Sequence, residues 1–178
     1  MKNNNEYYKI AENILNNEYF LELKKDIHHG TNKYDHCRRV SLLSYKLAKL
    51  FKADQIEVVR AGLLHDFFFG ERTEKDENSY LNHPKTSVKN AKQYFNITDK
   101  EASDIETHMF HHVIVKKLLP FINYKEKAIL KEHKPKSKEG AIICFSDFLV
   151  SIYEFERFKL SYSFSIFALF IINLLTIQ

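Results

Sequence analysis

Glycine and proline are scarce, with four and three in 178 residues. Sheet-rich folds turn often, and turns draw on these two residues for their special backbone angles. Their scarcity excludes a β-sandwich or barrel with many short strands and points to long helices. Tryptophan is absent, and cysteine occurs only as Cys37 and Cys144. No CxxC pair exists, so neither a thiolate zinc knuckle nor a disulfide framework is expected. Each cysteine reads as a small, reduced core residue. A strong charge of one sign is lacking too: 27 Lys and Arg stand against 23 Asp and Glu, a formal +4. That balance suits a small anionic ligand, and no nucleic-acid partner is expected from it.

The first ten residues are polar and charged, without the apolar core of a secretory signal, so the expected compartment is the cytoplasm. Leu160 to Gln178 carries no charge at all. As a helix rising about 1.5 Å per residue it would extend roughly 28 Å, close to the thickness of a bilayer core. Ser161, Ser163, Ser165 and Asn173 dilute its apolar character. Two readings stand for it: a last helix packed on the domain or on a second subunit of a homodimer, or a short tail anchor giving membrane association.

What the chain does have is apolar residues at helical spacing. The spacing predicts a first helix over Glu6–Leu23, with Tyr7, Ile10, Ile14 and Leu21 inward. It predicts a second over Lys33–Phe51, with Val40, Leu43, Leu47 and Leu50 on one stripe, and a third over Gln55–His65. His83-Pro84 opens a fourth, since proline suits the first helical position. Thr98-Asp99-Lys100-Glu101 is a capping box opening a fifth that runs through His108. Another helix covers Glu139–Glu156, after a basic loop at Lys131–Lys138.

On these helices a few polar residues share the apolar faces. His36 lies in line with Val40, Leu43 and Leu47; His65 with Val58 and Ala61; Asp147 with Ile143 and Val150. His108 follows Ile105 by three. Burying one polar group without a partner costs about 1–3 kcal/mol, and an unpaired carboxylate more. A shared divalent metal satisfies neutral imidazoles and a carboxylate together. Each residue alone also admits an ordinary core or pairing role. His65 and Asp66 are adjacent, about 100° apart on a helix. They reach one ion only at a helix end, and the aromatic run Phe67-Phe68-Phe69 follows directly.

Tyr34-Asp35-His36, then Ala61-Gly62-Leu63-Leu64-His65-Asp66, then Ser146-Asp147 resemble the H…HD…D signature of the HD superfamily. The resemblance covers about Asn32 to Tyr153. It implies an all-α, single-domain HD-type helical bundle: an N-terminal helix within 1–31, the HD domain over 32–156, and an apolar C-terminal helix over 157–178. It implies that His36, His65, Asp66 and Asp147 bind one metal and that Asp66 bridges to a second. His83 and His108 match, in order and placement, the two histidines that complete the second site in binuclear members. The whole set is similar to that of bacterial HD hydrolases that cleave diadenosine tetraphosphate, known as iron-containing or manganese-supported enzymes.

There are departures. His83-Pro84 stands where His-Gly is usual, and three phenylalanines follow the HD pair where smaller or basic residues are common. The GYP extension of the cyclic-di-GMP phosphodiesterases is absent, which excludes that activity. The implied function is a metal-dependent phosphohydrolase acting on a phosphate ester or phosphoanhydride of a nucleotide or dinucleotide polyphosphate. His65 and Asp66 stand at the centre of its catalysis, by way of metal-activated water. Two ions are implied, Fe or Mn, with Zn, Co and Ni also compatible with these ligands. Arg38, Arg39 and Lys85 are candidate phosphate contacts, although each also suits an ordinary solvated surface. His111 and His112 admit two readings: both suit the surface, and His112, sharing the face of His108, also suits a supporting or substitute ligand. The alternatives are a non-catalytic nucleotide-sensing module and a di-iron oxygenase.

Overall fold

The computed structural model describes residues 2–28, 31–70, 79, 82–111 and 133–154. Most of the charged stretch after Gly70, His112, and the uncharged tail at 160–178 lie outside the described residues. Seven α-helices are found within them: α1 (Lys2–Leu15), α2 (Glu18–Glu22), α3 (Lys33–Phe51), α4 (Gln55–Leu64), α5 (His83–Tyr94), α6 (Asp99–Glu106) and α7 (Lys138–Glu154). A 3-10 turn at Leu23–Lys25 and a two-residue antiparallel pair, β1 (Ile27–His28) with β2 (Thr31–Asn32), join α2 to α3. The protein is all-α. No helix among the described residues is long and apolar enough to cross a membrane.

The helix ends follow local chemistry. The Asn32 side chain accepts the Asp35 amide at 2.8 Å and starts α3. Asp54 accepts the amides of Ile56 and Glu57 and starts α4. At Thr98 the expected capping box forms: Thr98 Oγ1 accepts the Glu101 amide at 3.0 Å, and the Glu101 carboxylate accepts the Thr98 amide at 2.7 Å. Such caps satisfy amides that have no partner inside the helix.

Two expectations are corrected. The first helix is not continuous to Leu23. Asn17 accepts the amides of Tyr19 and Phe20 and restarts the chain as α2. The restart turns Phe20 and Leu23 fully inward and leaves Leu21 half-buried. The second correction is rotational. In α3 the buried face is His36, Cys37, Val40, Ser41, Ser44, Tyr45 and Ala48, while Leu43 and Leu47 flank it and Leu50 is 70% exposed. Ser41, not a leucine, stands at the close approach to the neighbouring helix.

That neighbour is α4, whose Val58, Val59, Ala61, Gly62, Leu63 and Leu64 are all buried. α4 packs against α1, α3, α6 and α7, so it is apolar nearly all round. At Gly62 an added Cβ would lie 3.1 Å from the Ser41 Cα, and the Ser41 hydroxyl donates to the Val59 carbonyl at 2.9 Å. Gly62 therefore sets how closely α3 and α4 approach. Away from this contact, α4, α6 and α7 enclose a second polar group. Lys100 Nζ lies 2.9 Å from Glu139 and 3.5 Å from Glu57. Asp104 accepts the Ser137 hydroxyl. Burial pushes the Glu57 carboxyl up to about 7, and Asp104 is raised beside it, so the pair holds a proton near neutrality.

Two outcomes are expected. Gly62→Ala will lower the melting temperature. Overpacking of about 1–3 kcal/mol outweighs the roughly 1 kcal/mol by which alanine favours a helix over glycine. An unchanged or raised melting temperature would mean that α3 yields at Ser41. The second outcome concerns pH. A carboxyl raised in the folded state contributes stability below its ordinary value of 4.5 and loses it as pH climbs through about 7. Glu57→Gln, which stays neutral, should lose less melting temperature than the wild type between about pH 5 and about pH 8. Equal losses in the two proteins would refute the shared proton.

Candidate metal centre

Four imidazoles and two carboxylates meet between α3, α4, α5, the turn after α6, and α7. His36, His65, His83 and His108 are completely buried; Asp66 and Asp147 are 1% and 4% exposed. α4 ends at Leu64 and His65 is its C-cap, so the turn that follows carries Asp66 to the same centre as His65. The helix end that the adjacent His-Asp pair requires is present.

The six side chains form two lobes. In the first, His36 Nε2 lies 3.2 Å from Asp147 Oδ1 and 3.2 Å from His65 Nε2, and His65 Nε2 lies 3.7 Å from Asp147 Oδ1. In the second, His83 Nε2 lies 3.1 Å from His108 Nε2. Asp66 stands between them. Its Oδ2 is 4.0 Å from His36 and 3.9 Å from His65, while its Oδ1 is 3.1 Å from His83 and 3.5 Å from His108. Within this set His36, His65 and Asp147, and likewise His65, Asp66 and His108, present atoms close enough to hold a metal ion.

The hydrogen-bond pattern fixes which ring nitrogens face the centre. His65 Nδ1 donates to the Gly62 carbonyl at 2.8 Å, His83 Nδ1 to the Ser79 carbonyl at 3.0 Å, and His108 Nδ1 to the Ile105 carbonyl at 2.7 Å. A carbonyl only accepts, so Nδ1 carries the hydrogen and Nε2 of the neutral ring is a lone pair. His83 Nε2, His108 Nε2 and Asp66 Oδ1 are thus acceptors turned toward one another, an arrangement that favours a cation among them. Ligand atoms about 2.1 Å from one ion sit roughly 3.0–3.4 Å apart, close to the shorter separations here. The donor set fits divalent transition metals.

The electrostatics separate the lobes. Burial pulls the His36 imidazole down, but its hydrogen bonds to the Asp147 and Glu154 carboxylates overcome that and push it up to about 9. Asp147 is held well below the usual carboxylate range, burial being outweighed by His36 and His65. His65 is raised well above 6.5, burial again being outweighed, chiefly by Asp66. In the second lobe burial wins, and His108 falls to about 4. The second lobe therefore offers a neutral imidazole at His108 near neutral pH, while the first must release protons to a metal.

Two residues around the centre escape the sequence reading, and a third is placed differently from its expectation. Glu154 Oε2 accepts His36 Nδ1 at 2.7 Å, and Glu154 Oε1 accepts Arg39 Nη1 at 2.6 Å. The one available signal is its spacing: it lies seven residues after Asp147, on the same face of α7. Lys33 is 1% exposed. Its ammonium donates to the Phe68 carbonyl at 3.0 Å, the Gly70 carbonyl and Asp26 at 3.2 Å, and sits 3.5 Å from the centre of the Phe68 ring. Burial lowers its pKa, and Asp26 and Asp66 oppose that. Lys33 so fastens the stretch just after Asp66 in place. The same stretch explains the aromatic run. Phe67 packs with Phe20, Tyr94 and Phe95, and Phe68 lies 5.1 Å from the His83 ring. The third is His111, expected at the surface but half-buried, with Nδ1 3.1 Å from the His108 carbonyl and 3.8 Å from Asp147.

Of the basic residues offered for phosphate, Arg38 pairs with Asp35 at 3.6 Å, Arg39 is engaged by Glu154 and also donates to Thr31 at 3.2 Å, and Lys85 is exposed two residues beyond His83. Cys37 and Cys144 are free and buried. Burial pushes the Cys144 thiol up to about 12, and the Cys37 thiol lies beside His65.

A helical bundle with this buried His and Asp set could hold metal ions. A family model for the HD domain matches residues 34–150, well over half of the chain. The chain belongs to the HD domain family. No curated protein and no solved structure matched at a significant level.

Proposed function

We propose that this protein is a metal-dependent phosphohydrolase that cleaves a phosphate ester or phosphoanhydride of a small molecule, a nucleotide or dinucleotide polyphosphate. One observation carries the reading: Asp66 turns one oxygen to His36 and His65 and the other to His83 and His108. A carboxylate between two imidazole-rich lobes is suited to sharing its charge between two cations. His36, His65 and Asp147 would hold one and His83 and His108 the other, with Asp66 common to both. Divalent ions there would supply an activated water and the positive charge that phosphoryl transfer requires.

The chain's own residues do the rest. The Nδ1 hydrogen bonds hold the four rings with Nε2 inward, so the donors are oriented in advance. The four imidazoles are fully buried and Phe68 packs 5.1 Å from the His83 ring, so little water reaches them, which strengthens each electrostatic contact. Lys85, exposed and near His83, and Arg38 on the first turns of α3 are the cations proposed to meet the rest of a phosphorylated substrate. Arg39 has a nearer partner in Glu154.

The test is a panel of nucleotides and dinucleotide polyphosphates assayed with Mn(II) and with Fe(II), beside metal content by elemental analysis. Turnover with about two ions bound is expected. Asp66→Ala should lower hydrolysis by at least about a thousandfold, since metal-assisted stabilisation of the transition state is worth several kcal/mol. His83→Ala or His108→Ala should bring the metal content from two towards one. Nucleotide binding without turnover would indicate a sensor, and metal-dependent oxygen consumption an oxygenase. A wild type that holds a single ion, with His83→Ala and His108→Ala keeping it and staying active, would leave a mononuclear site in place of the binuclear one.

A further inference from the structure

Three of the four site histidines are oriented locally. His65, His83 and His108 stand at or just beyond helix ends, and each donates Nδ1–H to a carbonyl three or four residues earlier. The C-terminal ends of α4 and α6 leave carbonyls without intrahelical partners for His65 and His108, and His83, the first residue of α5, uses the Ser79 carbonyl of the turn before it. His36 has no such option. It is the fourth residue of a 19-residue helix, where the carbonyls of the preceding turn accept α3's own amides. Its Nδ1 acceptor comes instead from a residue 118 positions away, Glu154, at 2.7 Å.

Glu154 is held from both sides. One carboxylate oxygen takes His36 and the other takes Arg39, one helical turn further along α3. The Glu154 side chain is 3% exposed, whereas that of Arg39 is 40% exposed. A buried carboxylate needs a fixed counter-charge, and Arg39 provides it from the solvent side while Thr31 steadies the guanidinium at 3.2 Å. His36 is thereby clamped between two carboxylates of α7: Glu154 on Nδ1, and Asp147 at 3.2 Å from Nε2.

We infer that Glu154, braced by Arg39, is a positioning residue that fixes the His36 ring and strengthens Nε2 as a donor to the cation of the first lobe. The inference rests on the metal-centre reading above and deepens it, because it makes the two lobes unequal. An anionic acceptor on Nδ1–H raises the basicity of the opposite nitrogen more than a carbonyl does, and losing such a partner costs about ten- to a hundredfold in metal affinity. The effect belongs to the lobe of His36, His65 and Asp147. In the lobe of His83 and His108 the Nδ1 hydrogens go to the Ser79 and Ile105 carbonyls, so that lobe should not feel it.

The experiment titrates the full-length protein, stripped of metal, with Mn(II) and with Co(II) by calorimetry, and records the visible spectrum of the Co(II) form. In the wild type two binding events are expected. Glu154→Ala should weaken one of them by about ten- to a hundredfold and leave the other unchanged, and the Co(II) bands of the weakened site alone should shift. Glu154→Gln should weaken the same event less, since its amide oxygen still accepts Nδ1–H but carries no charge. Arg39→Met should act in the same direction through Glu154. Melting of the metal-free proteins checks folding; where Glu154→Ala does not fold, Glu154→Gln decides. Wild-type affinity and spectrum in Glu154→Gln and Arg39→Met would overturn the inference while leaving the metal centre standing. A wild type that binds neither ion would overturn both.

Discussion

The centre depends on how closely two helices can cross. Ser41 on α3 and Gly62 on α4 meet with so little room that a single methyl at Gly62 would fall 3.1 Å from the Ser41 backbone. His36 lies five residues before Ser41 and His65 three residues after Gly62, so the crossing brings their Nε2 atoms to 3.2 Å. Side chains in a close-packed interior cannot drift to make up for a wider crossing. The fine placement of the imidazoles is inherited from a contact that carries no chemistry of its own.

The class of fold and the convergence of His36, His65, His108 and Asp147 were legible because both leave periodic marks, whereas His83 entered through the family resemblance. An imidazole or carboxylate at an otherwise apolar helical position stands out, and the adjacent His65 and Asp66 make sense only at a helix end, which is where α4 stops. The rotation of α3 was not legible. Leucines dominate a hydropathy pattern, yet Ser41, Ser44 and Ala48 are the buried positions, and at Ser41 the close backbone approach of Gly62 requires a small residue. Glu154 and Lys33 were hidden for another reason. Both look like ordinary surface charges, and only tertiary contacts with His36, Arg39, Asp26 and the Phe68–Gly70 backbone reveal that they are buried and paired. The split of the first helix at Asn17 was missed because a side-chain cap can restart a helix without breaking its apolar period.

Charge is distributed in opposition around the site. Carboxylates gather on the α7 side, where Asp147 and Glu154 enclose His36. On the other side Lys33 is buried beneath Phe68, with its three hydrogen bonds committed to Asp26 and two backbone carbonyls. A buried ammonium is costly unless so engaged. Its cost here goes into fastening the turn that aims Asp66, next to the aromatic packing of Phe67 in the core. The polar centre and the apolar core thus share one short stretch of backbone.

The tethering of the histidines has a consequence for the freedom the chain gives up at each lobe. His65, His83 and His108 find their Nδ1 acceptors within their own turns, and His83 meets His108 across 25 residues. His36 takes its acceptor from 118 residues downstream. Contacts between distant parts of a chain form against a larger loss of chain freedom than near ones. The partners of His83 and His108 all lie before α7 in the chain, whereas His36 draws its partner from the last described helix. Of the two, the His36–Glu154 pairing closes the longer loop and so costs the chain more freedom.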